Sequence, residues 1–130
     1  MNAERGHILA LFDQLISSTL HQFPVGRSSL DVPSGHGVYV IYGPNEQALH
    51  VGKSSRGRRG VRQRLLNHLA GQSSFVKLYL KRDKSQLRSG CHFRYLEIED
   101  PRKRALLEAY ATGYLCPAHI GLNDKLKVAD

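Results

Sequence analysis

Gly37-Val38-Tyr39-Val40-Ile41-Tyr42 and Ala48-Leu49-His50-Val51-Gly52, separated by Gly43-Pro44-Asn45-Glu46, form the stretch that decides the fold. Both flanks are rich in β-branched and aromatic residues, and the proline–asparagine centre is turn chemistry, so the segment reads as a β-hairpin. A turn made of residues 43–46 sets Tyr42 opposite Gln47 and carries the pairing inward: Val40 to Leu49, Tyr39 to His50, Val38 to Val51 and Gly37 to Gly52. Side chains alternate along a strand, so Val38, Val40, Leu49 and Val51 are expected on a core face, with Tyr39 beside His50 on the other. Gly37 and Gly52 flank that pair and leave room for a backbone or a ligand. By itself such a pair is ordinary sheet packing.

Working outward, Ile8, Leu11, Phe12, Leu15, Ile16 and Leu20 recur at helical spacing and predict an amphipathic helix over 3–20. Pro24, Gly26, Pro33 and Ser34 break the connector that follows. Beyond the hairpin a basic loop runs to Gly60, and Val61, Leu65, Leu66 and Leu69 predict a helix ending near Gly71. Ser74 is placed to cap a helix from Phe75 to about Leu87, although the alternation Val76-Leu78-Leu80 also fits a strand. Cys91 to Ile98 reads as the third strand. Pro101 suits the first turn of a last helix, through Leu106, Leu107, Tyr110 and Tyr114, which Pro117 stops. The expected class is α/β (α+β): a small three-stranded antiparallel sheet flanked by helices, with an extra N-terminal helix.

Charge points to the partner. The 130 residues carry 19 Lys and Arg against 11 Asp and Glu, a formal net charge of +8. From Gln47 to Arg82 there is no acidic residue, while Lys53, Arg56, Arg58, Arg59, Arg62, Arg64, Lys77, Lys81 and Arg82 all fall there. A solvated helical face interleaves its signs, so this unopposed block reads as phosphate-binding. The longest apolar runs, Ile8–Phe12 and Val38–Tyr42, are far short of the ~18 residues a membrane span needs. Glu4 and Asp13 spoil a leader peptide, and two scattered cysteines build no disulfide framework, so a reducing cytoplasm is expected. Cys116 and His119 have metal-pair spacing, but no second spaced pair accompanies them. Gly52-Lys53-Ser54 matches the tail of a P-loop, yet Gln47 stands where its first glycine belongs.

The chain resembles the GIY-YIG nuclease family in Gly37-Val38-Tyr39, in His50-Val51-Gly52-Lys53, in Arg64 followed by Leu65 and His68, and in Leu107-Glu108 closing towards Pro117. Each motif is short; their shared order carries the resemblance, over roughly residues 35–123. A histidine one turn after the arginine is similar to the compact restriction-endonuclease branch. One departure stands out: His50 replaces the tyrosine of the second motif. The resemblance implies a metal-dependent endonuclease that hydrolyses nucleic-acid phosphodiesters, DNA being favoured. Residues 35–123 would be the nuclease domain, 1–34 a helix and connector packed on it, and 124–130 a tail.

The roles it implies suit the residue types. Glu108 would hold one Mg²⁺ or Mn²⁺ ion as a hard oxygen ligand. Arg64 would grip the scissile phosphate with its planar fork. Tyr39 would orient or deprotonate water, helped by Lys53, because a free phenol with a pKa near ~10 is a poor base. His50, with an ordinary pKa of ~6.5, would need no such help and predicts an acidic limb there. His68 would assist the phosphate or the tyrosine. Arg56, Arg58, Arg59, Arg62, Lys77 and Lys81 would carry nucleic-acid binding. One site cuts one strand, so double breaks need two protomers, as in a homodimer, or two binding events. The alternative on the same fold is a nucleic-acid-binding module with weak or no catalysis, and a basic adaptor for protein or an anionic membrane is a third reading.

Overall fold

The computed structural model describes residues 2–25, 28–55 and 59–120. Helix α1 (Ala3–Ile16) leads into strand β1 (His21–Gln22), and the hairpin is β2 (Gly37–Tyr42) with β3 (Ala48–Lys53). Helix α2 (Gly60–Leu69) is followed by a π-helical turn (Phe75–Tyr79), then α3 (Ser85–Gly90), β4 (His92–Glu97) and α4 (Pro101–Leu115). The sheet is antiparallel with order β1-β4-β2-β3, so it has four strands where three were expected.

The extra strand exists because α1 stops early. Ser17 Oγ donates to the Asp13 carbonyl at 2.5 Å and Ser18 Oγ to that of Leu15 at 2.6 Å. These hydroxyls compete for the helical carbonyls, which ends the helix at Ile16 rather than at residue 20. The released chain then pairs His21 with Phe93 and Gln22 with His92.

Every residue of β2 is buried, because the sheet is covered on both faces rather than one. On one face Val38, Val40, Tyr42 and Val51 pack with Ile8, Phe12 and Leu15 of α1 and Leu107 and Ala111 of α4. On the other, Tyr39, Ile41 and Leu49 pack with Val61 and Leu65 of α2, Phe75, Val76, Leu87 and Phe93. A strand buried on both sides reads as an unbroken apolar run, as Val38–Tyr42 does.

The hairpin register differs from the expected one by two residues. Gly43 N donates to Gln47 O at 2.9 Å, so the loop is Pro44-Asn45-Glu46, and Glu46 takes the left-handed conformation with φ 60°. A β-bulge at Leu49 adds the second step: Tyr42 faces Ala48, but Ile41 faces His50, Val40 faces Val51 and Tyr39 faces Gly52. An even slip keeps Val38, Val40, Val51, Tyr39 and His50 on their expected faces while changing their partners, but the bulge turns Leu49 to the face of Tyr39. Tyr39 and His50 therefore remain neighbours, on a diagonal, with ring centroids 6.0 Å apart.

The expected helix over 75–87 is two pieces. Leu80 N bonds Phe75 O at 3.1 Å, and Lys81 and Arg82 follow with φ of 53° and 68°. Asp83 Oδ1 accepts from Ser85 N and Oγ, which starts α3 afresh. Ser73, not Ser74, serves the turn's first amide, accepting from Val76 N at 3.2 Å. The last helix runs as expected: Asp100 caps it through Arg102 N, and Cys116 closes it in the left-handed region before Pro117.

Candidate active site

Three elements converge at one end of the sheet. Lys53 ends β3 on the face that carries α4, Arg64 projects from α2 on the opposite face, and Glu108 sits midway along α4. Together with Ser55, Gln63 and Asn67 they line a polar cleft of about 400 Å³. Gly60 forms its rim and is glycine for a reason. Its φ is +49°, and a side chain there would collide with the Ser34 and Gly35 carbonyls that α2 starts against.

Beneath the cleft lies Tyr39, with no exposed surface. Its phenol occupies the space that a side chain on Gly52 would need. The expected opening beside Gly52 is therefore filled by the tyrosine itself. Tyr39 Oη is 2.7 Å from His68 Nε2, and His68 Nδ1 is 2.6 Å from Ser73 Oγ. Arg64 and His68 stand one turn apart on the same side of α2, Arg64 lining the cleft and His68 buried farther along against Tyr39.

Burial sets the protonation states. It pushes the Tyr39 hydroxyl up to about 12, with the neighbouring Arg64 guanidinium opposing and Glu108 adding to the shift. It draws His68 down to about 2, reinforced by His50 and Arg64. His50 falls to about 4 through burial and the nearby His119. Glu108 is raised by burial, against the pull of Lys53 and Arg64. At neutral pH the buried system is thus a protonated phenol with uncharged imidazoles.

A stability prediction follows. The unfolded chain protonates both histidines near pH ~6.5, while the folded chain resists until pH drops to about 4 for His50 and about 2 for His68. The unfolded state binds more protons in that window, so stability falls as pH decreases below ~6.5. Urea unfolding is expected to lose on the order of 5 kcal/mol between pH 7 and pH 4.5, about half of it from each histidine. His50→Gln should reduce that slope by about half, and an unchanged slope contradicts the assignment.

The remaining expected residues divide. His50 lies behind the cleft, stacked on Phe75 at 5.1 Å and 15°, with its Nδ1 buried and unpartnered among the described residues. The bridge from His119 N to Leu49 O at 2.8 Å brings His119 to within 5.5 Å of the His50 ring. Arg59, Lys77 and Lys81 are exposed, whereas Arg62 is held inward, donating to the Leu30 and Val32 carbonyls of the connector. Arg56 and Arg58 lie outside the described residues, as does the expected tail. Arg104 is buried and donates to the Ile98 and Glu99 carbonyls, so it does not pair with Glu108 one turn on. Sequence reading missed Gln63 and Asn67, bonded at 2.8 Å, although their spacing beside Arg64 put them on the same helix face. It missed Ser73 too, and weighed His119 only as a metal partner of Cys116; only the tertiary fold brings the two in.

Neither the models of known families nor the curated proteins contain a match to this chain. Among solved structures, it is similar to the GIY-YIG N-terminal endonuclease domain of UvrC from Thermotoga maritima, bound to its catalytic magnesium. The TM-score is 0.50 at 19% identity, over 68% of this chain and 86% of that one. The chain has a GIY-YIG-like fold. Among the described residues no group of three or more His, Cys, Asp or Glu is placed to hold a metal ion, so a closed zinc-type site does not fit. A single half-buried carboxylate facing a polar cleft does fit a hard cation that keeps waters and takes substrate oxygens. No helix among the described residues is long and apolar enough to cross a membrane.

Proposed function

We propose that this chain is a divalent-metal-dependent endonuclease that hydrolyses nucleic-acid phosphodiesters, with DNA as the favoured substrate. The observation that carries this is the convergence of Lys53, Arg64 and Glu108 from three separate elements onto one polar cleft, directly above the Tyr39–His68 hydrogen bond. The likeness to a GIY-YIG endonuclease domain supports it. The spacing of Arg64 and His68 favours the restriction-endonuclease branch.

In this reading Arg64 takes the scissile phosphate in a bidentate grip and neutralises charge as it develops. Lys53 adds a second positive charge from the opposite wall. Glu108 would hold Mg²⁺ or Mn²⁺, whose chemistry is Lewis-acid stabilisation of the phosphate oxygens. The phenol of Tyr39, protonated at neutral pH, orients water or the phosphate by donating a hydrogen bond. Arg64 lies near it, its positive charge opposing the upward shift of the phenol. His50 keeps the back wall neutral, and the acidic limb of activity falls to Glu108 rather than to an imidazole near pH ~6.5. Arg59, Lys77 and Lys81, joined by Arg56 and Arg58, supply salt-dependent phosphate contacts. Residues 35–123 act as the nuclease unit in the cytoplasm, and two protomers make a double break.

A second reading, a nucleic-acid-binding module with little catalysis, draws on the complete burial of Tyr39. Incubation with supercoiled plasmid, single-stranded DNA and RNA separates the two. Nicking is expected with Mg²⁺ or Mn²⁺ and none with chelator. Binding without cleavage under every metal condition favours the second reading.

A further inference from the structure

We propose that Ser73 fixes the tautomer of His68: Ser73 Oγ–H donates to Nδ1, the imidazole carries its proton on Nε2, and the Tyr39 O–H is thereby turned outward to the cleft. The starting point is a buried serine hydroxyl with two partners among the described residues. Val76 N lies 3.2 Å from Ser73 Oγ, and His68 Nδ1 lies 2.6 Å from it. An amide can only donate, so towards Val76 the oxygen is an acceptor.

The hydroxyl's own proton then has one place to go. Ser73 is buried, and an unsatisfied donor there is costly. His68 Nδ1 satisfies it by accepting. A proton on Nδ1 would instead make the serine oxygen accept twice and leave its O–H with nothing to bond. A neutral imidazole bears one proton, so it sits on Nε2, facing the phenol 2.7 Å away.

The consequence is directional. Tyr39 Oη accepts from His68 and cannot pass its proton inward, because the nitrogen it meets is already protonated. Donation runs one way, from the Val76 amide through Ser73 and His68 to the phenol, each bond polarising the next. His68 therefore serves as a donor that positions the tyrosine and not as its base. The burial that holds His68 uncharged at neutral pH is consistent with this. Ser73 is a positioning residue, and its effect on cleavage rests on the nuclease reading; the tautomer does not.

Long-range proton–nitrogen correlation spectra of the whole chain, with labelled histidine, read the tautomer directly. The His68 signals are assigned by their loss in His68→Gln. Wild-type protein is expected to show an unprotonated Nδ1 and a protonated Nε2; the reverse pattern overturns the proposal without any Ser73 variant. In Ser73→Ala the signals should move to a mixture of tautomers, and Ser73→Thr, which keeps the hydroxyl, should restore them. An unchanged pattern in Ser73→Ala also overturns it. In nicking assays Ser73→Ala should lower kcat by about ten- to a hundredfold with KM unchanged, with rescue by Ser73→Thr. A wild-type rate in Ser73→Ala removes the positioning role. If the wild type cleaves no nucleic acid, the nuclease reading fails, while the spectra still decide the tautomer.

Discussion

Glu108→Gln is expected to abolish nicking, by about 10³-fold or more, while nucleic-acid affinity stays at the wild-type value. The substitution is nearly isosteric and removes only the charge. Glu108 is half-buried against Lys53 and Arg64, and its carboxyl is already pushed upward by burial, so little in the fold depends on its ionised form. Affinity comes from basic residues elsewhere, and losing a nearby negative charge does not weaken them. Parallel plasmid-nicking and gel-shift titrations in Mg²⁺ provide the measurement. Retention of wild-type cleavage would remove Glu108 from the metal site.

Tyr39→Phe should reduce kcat by about 10²-fold or more, the scale of a deleted acid–base or orienting group. The ring still fills the space beside Gly52, so packing is preserved. The cost in stability is about 1–3 kcal/mol, because His68 loses a buried partner. His50→Gln is the necessary contrast and should retain most activity. His50 does not line the cleft, and its pKa near 4 leaves no titration near pH ~6.5 to shape the profile. Should His50→Gln prove inactive and Tyr39→Phe active, the imidazole is the base, one of the two assignments the sequence left open.

Much of this was written in local pattern. The helices from Gly60 and Pro101 announce themselves by apolar spacing and by their terminal residues, and the hairpin by its flanks and turn. Arg64 and His68 are one turn apart in any helix, so their shared element was legible as well. The register was not legible. A loop one residue shorter than assumed and a bulge at Leu49 each shifted the pairing, and neither follows from propensity. Burial was misjudged for a related reason. An all-apolar β2 fits one covered face or two, and only the return of α1 and α4 to the same side settles which. With both faces covered, the protonation of Tyr39 and His50 departs from what free side chains do. Long-range partnerships such as Ser73 with His68 and His119 with His50 have no signature in sequence spacing. Arg62 looked like one more surface cation, and only the course of the connector shows its guanidinium turned to carbonyls.

The bulge at Leu49 also governs volume. On a regular strand Leu49 and His50 would point to opposite layers; here both lie with Tyr39 and Phe75. The layer beneath α4 consequently receives only Ala48 and Val51 from that part of β3, one small side chain and one compact one. A leucine's bulk has been moved out of the space between strand and helix. Glu108 of α4 lies within electrostatic reach of Lys53 across the end of β3. One residue inserted into a strand thus decides which of the two layers takes up the leucine.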